Sequence, residues 1–564
     1  MKNFLSLSSF VFFLLWHAPA TTAQQYEWNE VPRIVAVGDV HGAYDNLVAV
    51  LRNAGLVDDD LDWIGGETHL VQVGDVLDRG AESRRCLDLL MELEKKAERA
   101  GGRVHALIGN HEAFNIVGIS DYITLEEFRS YLDPESERIW EHNFETYYSE
   151  LREQARAADR APPSKEETRA EFTKRYPPGY FGHRRAFQPD GRYGKWIVSH
   201  NLAIRLNGIV FSHGDWSEEV SLLGIEKVNE ESRKELRGEA PLENGVLFHV
   251  KGPLQYRGLA EVPLTRAEQA AQEGQVERIL TNLGAQRLVV GHSVTQGVIE
   301  PRFGGKHIAI DTGMLDIYDG GHQIVLEIQD GVLSAIHPGG KIRLPDFLDE
   351  SNLVSYLAEV VAVDENNVNV HARLAELYWE QRNMDGARVT LEQLFRIPKP
   401  VPFRYHQTLG DVYRELSMEE KASEQYLLYL DGLKGMIEAT PTNPHLKNLY
   451  GRFCLDRNVA LDSAEAMLRS ALAEFPDHPS FLLTLGRIQL ARGEHAEAVQ
   501  TLEKSSQQGT PGYETYYHLG LAHLQLGHTE EARRAFELAI AADPTGEGAR
   551  QKLEELGASV GSSN

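Results

Sequence analysis

Six short apolar runs are spread over the first 345 residues: RIVAV from Arg33, HLVQV from His69, VHALI from Val104, GIVF from Gly208, RLVV from Arg287 and HIAI from His307. Runs of Val, Ile and Leu without polar alternation are how strands buried on both faces read, and helix-like stretches lie between them. The chain is therefore expected to be α/β over residues 30–345. The first five runs share a further property. Each ends within a residue or two of Asp, Asn or His beside a glycine: Gly38-Asp39-Val40-His41, Gly74-Asp75, Gly109-Asn110-His111, Ser212-His213-Gly214 and Gly291-His292. Ligands of open α/β sheets gather at the carboxyl ends of strands. Packing accounts for one or two such endings, but not for five.

These residue types form a metal-ligand set. Asp39 and His41 can hold one ion, Asn110, His213 and His292 a second, and Asp75 has two carboxylate oxygens with which to bridge them. Mixed oxygen and imidazole donors suit Zn, Mn or Fe and argue against a calcium cage. Glycines beside the ligands let the backbone turn tightly and let substrate approach.

GDVHG, GDVLDRG and GNHE occur in that order, followed by the histidines of SHGD and GHSVT. Over residues 33 to about 340 this resembles the phosphoprotein phosphatases, calcineurin-like dinuclear metallophosphoesterases. GPLQYRG and the long segment after GNHE are most similar to the Shewanella-like branch. The resemblance implies an α/β metallophosphoesterase fold of sandwiched sheets flanked by helices. It also implies a phosphomonoesterase acting on phospho-Ser/Thr or phospho-Tyr proteins by in-line attack of a hydroxide bridging two metals. Arg79 would then grip the phosphoryl oxygens bidentately. Arg257 matches the second phosphate-binding arginine of the family. His111 would protonate the leaving group, with Asp78 orienting its imidazole. One departure is Asp215, where the family commonly has glycine after the His-Gly pair; it is expected to face away from the metals. Asp311 is read as structural, and His69, His105, His200 and His307 are assigned no catalytic task. Small phosphoesters, dinucleoside polyphosphates and an inactive repeat scaffold are the competing readings.

Residues 119–180 form a charged, aromatic-spotted insertion that reads equally as a lid or as a solvated excursion. Beyond PGGKIRLPDF the texture changes. LAELYWEQRN (374 on), LGDVYRELSM (409 on), YGRFCLDRNV (450 on), LGRIQLARGE (485 on) and LGLAHLQLGH (519 on) align at a period of about 34 residues. Residues 352–555 thus resemble tetratricopeptide repeats, an all-α solenoid that would dock a protein partner. At the other end, Lys2 precedes the apolar FLSLSSFVFFLLW and the small-residue stretch APATTA. This is the layout of a signal peptide over residues 1–23, so export to a periplasm or the medium is expected, with no stable membrane insertion after cleavage. A formal charge of -27 argues against nucleic-acid binding. Cys86 and Cys454 are read as reduced, packed thiols.

Overall fold

The apolar runs become strands of two six-stranded sheets in a computed structural model, all inner except the one from Val104, which lies at a sheet edge. It describes residues 24–561 apart from 264, 296, 319–320, 347 and 350–351, so the signal-peptide expectation for residues 1–23 lies outside the described residues. In chain order the strands are β1 (Glu27–Trp28), β2 (Arg33–Val37), β3 (His69–Gln72), β4 (Arg103–Ala106), β5 (Ala203–Leu206), β6 (Ile209–Ser212), β7 (Arg287–Val290), β8 (Glu300–Arg302), β9 (His307–Ala309), β10 (Val325–Gln329), β11 (Val332–His337) and β12 (Gly340–Arg343). One sheet runs β12-β11-β10-β2-β3-β4 and the other β1-β5-β6-β7-β9-β8. β2, β3 and β4 are parallel, as are β6, β7 and β9. One buried cluster takes Val35, Leu70 and Val104 from the first sheet and Val210, Leu288 and Val290 from the second, so the sheets share a core. Parallel strands covered on both sides have no solvent face, which is why Val, Ile and Leu dominate these runs.

The insertion folds as helices. Asp133 caps the helix Pro134–Ala157 by accepting from the Ser136 amide, and the Ser136 hydroxyl accepts in turn from the Asp133 amide. Trp140 and Phe144, four residues apart on that helix, pack against Phe172 of the helix Lys165–Arg175. The start of the insertion reaches the strand ends. There the Arg79 amide donates to the Tyr122 carbonyl and Thr124 Oγ1 to the Gly80 carbonyl.

His183, on the helix Tyr180–Phe187, is enclosed by Phe128, Tyr131 and Phe187, and its Nδ1 has no hydrogen-bond partner among the described residues. Burial, helped by the charge of Arg184, lowers its pKa to about 3. An unfolded imidazole titrates near 6.5, so below that pH the unfolded chain binds the extra proton. The stability from keeping this ring neutral is whole above pH 6.5 and is lost as the pH falls toward 3. The expected loss at pH 5 is on the order of 2 kcal/mol. Thermal melts at about pH 7 and 5 should show a smaller decline for His183→Phe than for the wild type; equal declines would refute this role.

The described residues divide into two compact units that part between Leu374 and Ala375. The helix Leu353–Val363 therefore belongs with the sheets, where the Tyr356 hydroxyl donates to the Ile299 carbonyl at 2.9 Å. In the second unit, helices pair at small residues. A Cβ on Gly486 would lie 2.6 Å from Leu502, and one on Gly520 2.5 Å from Phe536. Gly410 meets Tyr426 in the same way, so glycine and its filler are sixteen residues apart in each of these three repeats. Gly451 meets Leu468, seventeen residues on, so this repeat carries one residue more between glycine and filler. Cys86 and Cys454 are buried and free. Among the described residues no helix is long and apolar enough to cross a membrane.

Candidate metal centre and active site

The carboxyl ends of β2, β3 and β4 from one sheet, and of β6 and β7 from the other, meet at one place. Asp39, His41, Asp75, Asn110, His213 and His292 come from these five ends and are all buried. Several of them stand on strained backbone. His41, Asp75, Asp78, Arg79 and His292 have φ of 48°, 56°, 69°, 65° and 62°. The left-handed region costs a non-glycine residue roughly 1–2 kcal/mol, and such outliers gather where surrounding structure imposes them for function. Close approach does the rest: a Cβ on Gly109 would sit 2.2 Å from Asp75 Oδ1, and one on Gly291 2.3 Å from Asp39 Oδ1.

The donor atoms fall into two groups around Asp75. Oδ2 of Asp75 lies 3.8 Å from His41 Nε2 and 3.3 Å from His213 Nε2. His41 Nε2 is also 3.9 Å from Asp39 Oδ2. On the other side, His213 Nε2 is 2.8 Å from Asn110 Oδ1 and 2.9 Å from His292 Nδ1. His41 Nδ1 donates to the Leu77 carbonyl and His213 Nδ1 to that of Val73, which leaves each Nε2 lone pair aimed at the cluster. Lone pairs and carboxylates packed this closely repel unless a cation lies among them, so the donor set fits metal ions. His41-Asp75-His111 and Asp75-His213-His292 each bring their ligand atoms within 4.8 Å of one another.

The ionisation states agree. Burial lowers the pKa of His41 to about 3, with Asp75 opposing, and lowers that of His292 far down, with His213 and Arg257 adding. Both rings are neutral at pH 7, as ligands must be. Burial, then Asp311 and Asp75, raises the Asp39 carboxyl. For Asp75, burial acts upward but the charges of His213 and His111 outweigh it and hold it low. His111 differs. Burial disfavours its proton, yet the charge of Asp75 and the bond to Asp78 prevail and raise its pKa. Its Nδ1 donates to Asp78 Oδ2 at 2.7 Å, and its Nε2 is 3.8 Å from Asp75 Oδ2. Arg79 reaches His41 Nε2 at 2.9 Å and His111 Nε2 at 3.3 Å, and Arg257 donates to the His292 carbonyl.

Asp215 faces away. Its Oδ2 accepts from the amides of Leu259 and Ala260, and its Oδ1 contacts His307 Nε2 at 2.7 Å. It thereby shapes the loop that carries Arg257. Three site residues escape a reading of the sequence. Glu112 accepts from the amides of Gly109, Asp75 and Val76, tying two strand ends together. Asn115 donates to Asp78 Oδ1 at 2.9 Å and to the His111 carbonyl. Tyr318 places its hydroxyl on Arg79. The Glu in GNHE was a visible signal; Tyr318 had none.

The calcineurin-like phosphoesterase family matches residues 32–296, and tetratricopeptide repeats match 460–511 and 513–545. Shewanella-like protein phosphatase 2 of Arabidopsis thaliana is 32% identical over 347 residues, 59% of this chain and 83% of the relative. The chain belongs to the Shewanella-like protein phosphatases. A second such phosphatase, number 1 of Plasmodium berghei, is 26% identical over 51% of this chain and 68% of its own. Among solved structures, a cold-active protein-tyrosine phosphatase of a psychrophilic Shewanella is similar at 25% identity and a TM-score of 0.42, over 57% of this chain and 82% of that one. Membership in the Shewanella-like phosphatases makes the protein a metal-dependent phosphatase of the calcineurin-like type, followed by tetratricopeptide repeats.

Proposed function

We propose that the chain is an exported phosphomonoesterase that dephosphorylates proteins, with tyrosine phosphate among its substrates and with the repeats holding a protein partner. The observation that carries this reading is the convergence of six metal-type ligands beside a proton-bearing His111–Asp78 pair. Asp39, His41 and Asp75 would hold one metal ion, and Asp75, Asn110, His213 and His292 the other, drawn from Mn, Fe or Zn. Bound there, the ions would supply Lewis acidity toward the phosphoryl group and an activated water at neutral pH. Arg79 and Arg257 orient the phosphate through their planar forks. His111 gives its proton to the departing oxygen, while Asp78, held by Asn115, keeps the imidazole aimed. Expulsion of the signal-like segment 1–23 would accompany export.

Tyrosine phosphate is favoured by the wall around His111. Tyr122 lies 5.0 Å from the imidazole, ring centre to ring centre, and Phe114 5.5 Å; Phe114 stacks on both Tyr122 and Phe248. Tyr122 is 47% exposed, so a phenyl leaving group can reach it. A panel of phosphotyrosine, phosphoserine and phosphothreonine peptides, run with and without chelator, tests the proposal. Turnover should disappear on metal removal, and Tyr122→Ala should cut kcat/KM for phosphotyrosine by about 2- to 10-fold while sparing phosphoserine. Two bound ions with no peptide turned over would leave the repeats as the working part of the molecule.

A further inference from the structure

Beside Arg257 opens a cavity of about 520 Å³ whose walls include Ser293, Thr295, Glu300, Arg302 and Arg373. Ser293 and Thr295 belong to the loop that leaves His292, so the cavity abuts the phosphate site. Arg302 and Arg373 share Glu300, at 2.5 and 3.0 Å from its carboxylate oxygens. Burial opposes ionisation of Glu300, but the two guanidiniums outweigh it and hold its carboxyl below the ordinary range. Three guanidinium charges thus meet one buried carboxylate, and the remaining acid on the wall, Glu261, is exposed to water. Arg302 is 7% exposed, and its Nε is buried with no hydrogen-bond partner among the described residues. Its other two guanidinium nitrogens donate to the Val262 carbonyl and to Glu300, which fixes the charge at the cavity wall. In a chain of formal charge -27, a cation-rich hollow is the reverse of the general surface.

We propose that this cavity is a second anion site, which reads a carboxylate or an additional phosphate carried by the same peptide as the phosphate being cleaved. The inference rests on the phosphoprotein reading above and adds a sequence preference to it. Arg257 serves both sites, with one guanidinium nitrogen on the His292 carbonyl and another 3.4 Å from His292 Nδ1. Arg373 comes from the helix Val368–Glu380, outside both sheets, so the hollow is completed by chain that follows the last strand.

The test uses the full-length, metal-loaded protein and matched phosphotyrosine peptides. Each flanking position in turn carries Gln, Glu or phosphoserine. At one or two positions the Glu or phosphoserine peptide should show a kcat/KM about 10- to 100-fold above the Gln peptide, the weight of a charge-assisted hydrogen bond. Gain with Glu alone identifies a carboxylate ligand and gain with phosphoserine alone a second phosphate; each supports the site. Arg373→Gln should pull the ratio toward one, and Arg373→Lys should keep part of it. The wild-type panel alone can overturn the inference: turnover of the Gln peptide with a ratio of one at every position sinks it. A ratio unchanged in Arg373→Gln sinks it as well. No turnover of any peptide instead overturns the phosphoprotein reading, and the second site with it.

Discussion

Replacing Asp75 by Asn is expected to reduce turnover beyond the about 10⁴-fold that loss of a general acid costs at most. A single oxygen of Asp75, Oδ2, lies within 4 Å of the Nε2 atoms of both His41 and His213, so its substitution is expected to weaken both candidate ion positions at once. An amide keeps the volume and the acceptor for the His111 amide at 2.9 Å, which limits collateral damage. Metal content measured on the purified variant should fall below that of the wild type. Thermal melts give a readout independent of activity. A ligand at about 100 times its Kd stabilises the native state by about 2.7 kcal/mol, so added metal should raise the melting temperature of the wild type and leave Asp75→Asn nearly unmoved. A variant that binds two ions and melts like the wild type would contradict the bridging role.

The second large effect belongs to His111→Asn, and its size should depend on the leaving group. Alkoxide needs a proton as it departs, so phosphoserine peptides should lose about 10² to 10⁴ in kcat. Phenoxide departs more easily, and a nitrophenyl phosphate should lose far less. Asp78→Asn should share that signature, because the 2.7 Å bond from His111 Nδ1 to Asp78 keeps the proton on the imidazole. Equal losses for aryl and alkyl substrates would show that His111 binds phosphate and does not protonate the leaving oxygen.

The parts of this site that could be read in the sequence are those that lie where strands stop. Asp39, Asp75, Asn110, His213 and His292 each follow an apolar run and stand beside a glycine, so local composition carries the signal. Asn115 and Tyr318 could not be read in this way. Each matters through a partner distant in sequence: Asn115 through Asp78, 37 residues away, and Tyr318 through Arg79, 239 residues away. The sheets themselves were legible because buried parallel strands are apolar on both faces. The repeats were legible because segments opening on a large apolar residue followed by Gly or Ala recur at a period of about 34 residues. The stretch LVSYLAEVVAV is different. Its periodicity identifies a helix but not the surface that covers it, and Leu353–Val363 packs with the sheets through Tyr356 and Ile299. Asp215 shows the same limit from the other side: an extra acid next to a ligand histidine was visible, and its real partners, Leu259, Ala260 and His307, were not.

The left-handed backbone at His41, Asp75, Asp78, Arg79 and His292 sets a ceiling on how far this molecule can be hardened by design. Glycine at those five positions would relieve the torsion and is the change that a purely thermostability-minded redesign would select. Each such exchange deletes a side chain of the proposed metal and phosphate site, so under that reading gains in heat resistance must come from elsewhere.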